Sequence, residues 1–443
     1  MKRFAINDLE KWKCSPRRKP LIIEGARQVG KTWLVKEFAA THYKNMVYVN
    51  FEQQIYLRDL FKTDFDTDRI LTSLKAATHE DIIPGETLIF MDEIQDAENG
   101  LTSLKYFCEN APEQHVVAAG SLLGIELHRN SSFPVGKVRF MTLRPMSFWE
   151  FLIAIGEENL EKLLEAGDWN GINIFAPKLK ELLKMYYFVG GMPEAVLAFS
   201  LRRDFDEVRE IQEEILHSYD FDFSKHAPSE IVPRIRQLWN SLPAQLSKEN
   251  RKFIYGLVRE GARAREYETA LQWLIDGGLI YKICNVSAPR IPLKSYEEES
   301  IFKLFSLDVG LLGAMSSLDS ETIVKGNSIF TEFKGALTEQ YTLQELILHN
   351  ELYYFAKANS QLEIDFLIQA NGNVIPIEVK AEENLRARSL RQFVADNSSP
   401  EAYRFSMSDY RKESWMTNLP LYSIESLPSF PSNSATPLPR LPH

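Results

Sequence analysis

Cysteine is scarce: the 443 residues hold three, Cys14, Cys108 and Cys284, with no C-x-x-C pair among them. That excludes a disulfide frame and a structural zinc site, and it fits thiols kept reduced in a cytoplasm. Long apolar runs are missing as well; none approaches the ~20 residues that a membrane helix needs. The first residues are too charged for a secretory leader. The expected location is therefore the cytoplasm, with no membrane partner. Positive charge is not in excess either, since 51 Lys and Arg face 61 Asp and Glu, for a net charge of −10. This balance excludes a blanket nucleic-acid coat but leaves room for a local basic groove. Such a bias exists near the start, where Lys2, Arg3, Lys11, Lys13, Arg17, Arg18, Lys19, Arg27, Lys31 and Lys36 face only Asp8, Glu10, Glu24 and Glu37. With 44% hydrophobic and 25% charged residues, the composition is that of folded domains, and the length predicts two or three of them.

What is present is a phosphate-binding loop. Gly25-Ala26-Arg27-Gln28-Val29-Gly30-Lys31-Thr32 fits G-x-x-x-x-G-K-[ST]. The apolar Leu21-Ile22-Ile23 precedes it as a buried strand would, and Trp33, Leu34, Phe38 and Ala39 follow at helical spacing. Glycines let successive N–H groups turn toward phosphate oxygens, and the helix adds its N-terminal donors and positive dipole end. Lys31 is expected on the β- and γ-phosphates of ATP and Thr32 on Mg²⁺.

The partner element is Thr87-Leu88-Ile89-Phe90-Met91-Asp92-Glu93, an apolar strand ending in two carboxylates. Asp92 is expected to hold Mg²⁺, and Glu93 to act as general base toward the attacking water. Further strands are predicted at Met46–Phe51, His115–Gly120 and Val138–Leu143. Ser121, after the fourth strand, has two readings, a γ-phosphate sensor or the N-cap of the next helix. Five strands alternating with helices predict a mainly parallel α/β sheet with its ligand beyond the strands' C-terminal ends. Before it, residues 1–15 read as an amphipathic helix with Phe4, Leu9 and Trp12 as packing residues.

The stretches Gly25–Thr32, Leu88–Gln95 (LIFMDEIQ) and Arg144–Phe151 (RPMSFWEF) resemble a prokaryotic AAA-type P-loop ATPase family. That family carries a C-terminal domain of unknown function related to PD-(D/E)XK nucleases. The likeness continues through Val189–Val196 (VGGMPEAV), Ser218–Lys225 (SYDFDFSK) and Pro376–Lys380 (PIEVK), to about residue 425. It implies an arginine supplied by a neighbouring subunit; Arg129, Arg139 and Arg144 lie in the right segment, although Gly136-Lys137 stands where relatives carry Gly-Arg. The expected organisation is an ATPase domain over 1–150, a helical region over 151–240, a winged-helix-like region over 241–300, a nuclease-like α/β domain over 301–425 and a disordered tail over 426–443.

In the winged-helix-like region Lys248, Arg251, Lys252, Arg259, Arg263 and Arg265 offer phosphate contacts, but Glu266, Glu268 and Asp276 stand on the expected recognition helix. A connector or protein contact is the favoured reading there. In the last domain, Leu362 to Ile368 alternates with period two, which puts Asp365 opposite Leu362, Ile364, Phe366 and Ile368. Asn371-Gly372 predicts a hairpin to Val374–Val379, on which Glu378 and Lys380 share a face. With Glu339 from an upstream helix, Asp365, Glu378 and Lys380 match a nuclease pattern of clustered carboxylates that hold Mg²⁺ beside a scissile phosphate. Arg386, Arg388 and Arg391 lie just beyond, suited to a nucleic-acid backbone.

Two functions stay open. One is an ATP-hydrolysing protein that couples nucleotide state to a Mg²⁺-dependent nuclease-like domain acting on DNA. The other is a nucleotide-controlled switch whose C-terminal domains bind a protein partner or DNA without cleavage. A homo-oligomer or a protein partner is compatible with both.

Overall fold

The computed structural model describes all residues except 122–135, 248–251, 326–330, 358–359, 383–386, 398 and 428–443. The chain divides into two units, Met1–Met146 with Leu271–Leu279, and Ser147–Ala270 with Ile280–His443.

The first unit opens with α1 (Ala5–Lys13), which buries Leu9 and Trp12, and Trp12 Nε1 donates to the Lys19 carbonyl at 2.8 Å. Phe4 precedes this helix and is only half-buried. Next come β1 (Leu21–Glu24), α2 (Lys31–His42), β2 (Asn45–Asn50), α3 (Thr67–Thr78), β3 (Thr87–Asp92), α4 (Gly100–Asn110), β4 (His115–Ala119) and β5 (Arg139–Thr142). The expected parallel sheet is present, in the order β2-β3-β4-β1-β5. All six residues of β3 and all five of β4 are buried, as parallel strands covered on both faces should be. Ile22, Val47, Val49, Ile89, Met91, Val116 and Ala118 pack with Ile70, Leu74, Leu104 and Phe107 from the helices. Register sets Asp92 beside Asn50 and Ala119, so the C-terminal ends of three strands meet at one edge.

The second unit begins with helices α5 (Phe148–Ala154), α6 (Glu158–Ala166), α7 (Trp169–Val189), α8 (Pro193–Arg202), α9 (Phe205–His226), α10 (Val232–Leu246), α11 (Tyr255–Val258) and α12 (Ala264–Asp276), whose last turns belong to the first unit. After β6 (Ile280–Val286), β7 (Glu297–Ser306), α13 (Val309–Met315), α14 (Thr331–Leu346), β8 (Leu352–Ala356), β9 (Glu363–Ala370), β10 (Asn373–Val379), α15 (Arg388–Asn397), β11 (Tyr403–Ser406), β12 (Arg411–Lys412) and β13 (Thr417–Pro420), a 3₁₀ segment runs over Leu421–Ser426. The strands form a single mixed sheet, β12-β13-β11-β10-β9-β8-β6-β7. The β6 and β7 strands of the expected winged-helix region are the edge of this sheet, and the expected border at residue 300 falls inside β7. Those at 150 and 240 fall inside α5 and α10.

Two buried polar arrangements hold this unit together. Gly190, at φ +71, sits where an added Cβ would meet Asp308 Oδ2 at 2.1 Å. Asp308 accepts from Gly191 N at 2.6 Å and from Leu311 N at 3.0 Å, and burial pushes its carboxyl up to about 6. This close approach accounts for Gly190, shortly ahead of Pro193, the first residue of α8. The second arrangement is at α5. Ser147 and Glu150 form a capping box. Phe148 N donates to Glu345 Oε1 at 3.0 Å, and Trp149 N to Glu425 Oε1 at 2.9 Å. Glu345 is buried and Glu425 half-buried beside it; burial raises Glu345 well above its ordinary range and Glu425 to about 8.

Candidate functional site

The loop from Gly25 to Thr32 joins β1 to α2, and its backbone explains its glycines. Gly30 caps α2 at φ +93. Gly25, at φ +138, lies so close to the next strand's exit that an added Cβ would fall 2.2 Å from the Leu143 carbonyl oxygen. Arg3, almost fully buried, holds the loop from another side: Nη1 donates to the Val29 carbonyl at 3.0 Å and Nη2 to the Arg144 carbonyl at 2.7 Å.

Lys31 Nζ donates to the carbonyls of Gly25 and Ala26, each at 2.8 Å. Burial lowers this ammonium to about 8, against the pull of Glu93 and Asp92. Thr32 Oγ1 donates to Asp92 Oδ2 at 2.8 Å, and the Tyr48 hydroxyl donates to the same oxygen at 3.1 Å. Burial raises the Asp92 carboxyl, the Thr32 hydrogen bond lowers it and the neighbouring Glu93 raises it again. A hydroxyl and a carboxylate held in contact at the mouth of a phosphate loop are the donors that octahedral Mg²⁺ takes from protein in nucleotide sites. These residues fit the ion.

Glu93 follows Asp92 in the left-handed conformation, φ 49 and ψ 48, which few non-glycine residues adopt. Its carboxylate accepts from Ser121 N at 2.9 Å, from Ser121 Oγ at 3.0 Å and from Gln95 Nε2 at 2.6 Å. Ser121 therefore bears on the candidate base; the helix of its alternative N-cap reading lies outside the described residues. Tyr48, Gln95 and Arg3 were not singled out from the sequence. Tyr48 sits within a strand whose alternation gave no sign that its hydroxyl reaches Asp92.

Of the candidate arginines, Arg129 lies outside the described residues. Arg139 is exposed on β5, and Arg144 follows β5 with a buried Nε that has no hydrogen-bond partner among the described residues. Lys137 pairs with Glu109 at 2.8 Å.

The second candidate site is in the mixed sheet. Asn371 and Gly372, at φ 49 and 75, make a two-residue turn with both central residues left-handed, so β9 and β10 pair as expected. Asp365 Oδ2 accepts from Val379 N at 2.7 Å. Glu378 is buried, with Oε1 3.0 Å from Lys380 Nζ, while its Oε2 has no hydrogen-bond partner among the described residues. Burial raises the Glu378 carboxyl, Lys380 lowers it and Asp365 raises it. Asp365, Glu378 and Lys380 are thus brought together, and the orphaned oxygen fits a cation-binding role. Glu339 is differently engaged: it is fully buried on α14, and Oε1 accepts from the buried Lys303 at 3.1 Å. Lys303 also pairs with Glu363 at 2.7 Å. Among the described residues no group of three or more His, Cys, Asp and Glu is placed to hold a metal ion. Arg388 and Arg391 are exposed on α15, whereas Arg386, Lys248 and Arg251 lie outside the described residues.

Residues 17–152 match a family model described as an AAA domain. That domain supports nucleotide binding and hydrolysis, and Mg²⁺ is its usual companion. Residues 180–322 and 334–424 match two domains of unknown function, DUF8612 and DUF4143. No curated protein matches. Among solved structures the chain is similar to the Walker-type ATPase paby2304 of Pyrococcus abyssi, at 15% identity over 70% of this chain and 94% of that one, TM-score 0.43. It is also similar to the ORC1 protein of Aeropyrum pernix in complex with DNA, at 13% identity over 72% and 93%, TM-score 0.28. Among the described residues no helix is long and apolar enough to cross a membrane.

Proposed function

We propose that this protein hydrolyses ATP at the AAA domain and couples nucleotide state to a Mg²⁺-dependent nuclease-like site acting on DNA. The contact between Thr32 and Asp92, with Glu93 next in the chain, carries the first half of this reading. In it, Lys31 leaves the Gly25 and Ala26 carbonyls for the β- and γ-phosphates, and phosphate charge restores the basicity that burial takes from it. Glu93 accepts the proton of the attacking water while Ser121 and Gln95 fix its carboxylate. Mg²⁺, held by Thr32 and Asp92, would neutralise charge developing on the phosphates. Lys31→Ala should lose ATP binding. Glu93→Gln should bind ATP yet turn over on the order of 10²-fold more slowly. Wild-type turnover by Glu93→Gln would overturn the assignment of the base.

The second half rests on Asp365, Glu378 and Lys380, with the two carboxylates as metal ligands and Lys380 directed to the phosphate. The test is purified protein with Mg²⁺ or Mn²⁺, with and without ATP, on supercoiled, linear and single-stranded DNA. One observation favours a switch that binds a protein partner or DNA without cutting: Lys303 already neutralises Glu339, which reduces the acidic set by one. Absence of nicking on every DNA form would leave that switch as the function. Neighbouring-subunit participation through Arg139 or Arg144 would appear as ATPase activity that rises with protein concentration.

A further inference from the structure

The AAA domain sequence ends near residue 152, yet Leu271–Leu279 belongs to the same compact unit, while the chain on either side of it does not. This segment closes α12 with a tight turn. Gly277 N donates to the Trp273 carbonyl at 3.0 Å, Gly278 N to Ile275 at 2.9 Å and Leu279 N to Leu274 at 3.0 Å. Gly278 has φ +68, and a Cβ there would lie 3.3 Å from Ala26 N and 3.8 Å from the Gly25 carbonyl carbon. The turn therefore rests on the peptide that joins Gly25 to Ala26.

The same two residues supply the carbonyls that hold Lys31 Nζ. Elsewhere the loop has little freedom, since Gly25 abuts the Leu143 carbonyl and Arg3 ties Val29 to Arg144. When Lys31 turns to a phosphate, both carbonyls lose their cation. Any adjustment of that peptide toward the turn then closes on Gly278, which carries only a hydrogen where a Cβ would lie 3.3 Å from Ala26 N.

We infer that the Gly277–Gly278 turn is a positioning element of the nucleotide site, sensing whether Lys31 lies on the loop's own carbonyls or on a phosphate. The turn acts through the P-loop and touches no reacting atom. Through it, nucleotide occupancy reaches α12 and β6, which continue the chain into the second unit. The inference rests on the nucleotide-binding reading above.

Three measurements on the full chain test it. Gly278→Ala should weaken binding of the fluorescent nucleotide mant-ATP with Mg²⁺ about tenfold, which is about 1.4 kcal/mol. Gly261→Ala is the control, because Gly261 has φ +75 but nothing within 4 Å of an added Cβ, so it carries the backbone strain without the contact. It should change binding less than about twofold, a difference well inside the scale of one lost contact. Hydrogen exchange gives a readout that does not need the Gly278 variant to fold. Without nucleotide, Lys31→Ala should exchange faster than wild type over 271–279, while Thr32→Ala, which leaves the carbonyls' cation in place, should match wild type. Equal binding by Gly278→Ala and Gly261→Ala, or unchanged exchange in Lys31→Ala, would overturn the inference. If the wild type binds no mant-ATP, the nucleotide reading itself fails and takes this inference with it.

Discussion

Glu425→Gln should make the second unit less sensitive to alkaline pH and more stable above pH 8. The Glu345 and Glu425 carboxyls share a buried site with Glu150, Tyr186, Tyr187 and Tyr341 facing it. A carboxyl whose folded pKa is raised takes up a proton on folding, so its contribution is fully present below the unfolded pKa and is lost as pH rises toward the folded one. For Glu425 that window runs from 4.5 to about 8. At about 1.4 kcal/mol per unit, moving from pH 6 to pH 9 crosses roughly two units and should remove about 3 kcal/mol. A glutamine is neutral throughout and can still accept from Trp149 N. Asp308, held up to about 6, titrates alike in both proteins and cancels in the comparison. The assay is native-state hydrogen exchange in urea over residues 147–154 and 421–426, because a single global transition is not assured in a chain with two units. At pH 9 the variant should open with a free energy 2–3 kcal/mol above wild type, within the ~3 kcal/mol worked above, and at pH 6 the two should lie within about 1 kcal/mol. A wild type whose opening free energy is the same at pH 6 and pH 9, or a variant with the same slope as wild type, would refute the raised Glu425 carboxyl.

Three further outcomes are expected. Ser121→Ala removes one of three donors from Glu93 and should lower kcat about tenfold with little change in ATP affinity, read by steady-state ATPase assay. Asp365→Ala should lose the upward melting shift that Mg²⁺ or Mn²⁺ gives wild type, whatever the loss of its bond to Val379 N does to the metal-free protein; Lys380→Ala should keep that shift. Removing charge at the exposed Arg263 and Arg265 together should leave any DNA sequence preference unchanged and reduce the salt slope by about 0.9 per lost phosphate contact, measured by titration at several salt concentrations.

The phosphate loop and the strand ending in Asp92 and Glu93 were legible because their chemistry is contiguous: glycines, lysine and hydroxyl must follow one another for a loop to enclose a phosphate. The β9–β10 hairpin was legible for a similar reason, since Asn-Gly fixes the turn and period two fixes the faces. What was hidden arrives by packing between distant segments. Lys303 lies within the apolar stretch Ile301–Leu307, and nothing there announces that Glu339 and Glu363 will enclose it. Arg3 and Gly278 reach the loop from opposite directions along the sequence. Domain borders were the least legible, because composition does not change where α5, α10 and β7 cross them.

The capping of α5 also bears on synthesis. Its first two amides find their acceptors 197 and 276 residues further on. A ribosome adding about 5–20 residues per second reaches Glu425 roughly 15 to 55 s after Trp149 has been made. Through that interval the run Phe148-Trp149-Glu150-Phe151-Leu152-Ile153, all of it buried in the finished fold, has its local Ser147–Glu150 cap but not these two acceptors. During synthesis these two amides therefore wait for acceptors that nearly the whole of the second unit must be made to supply.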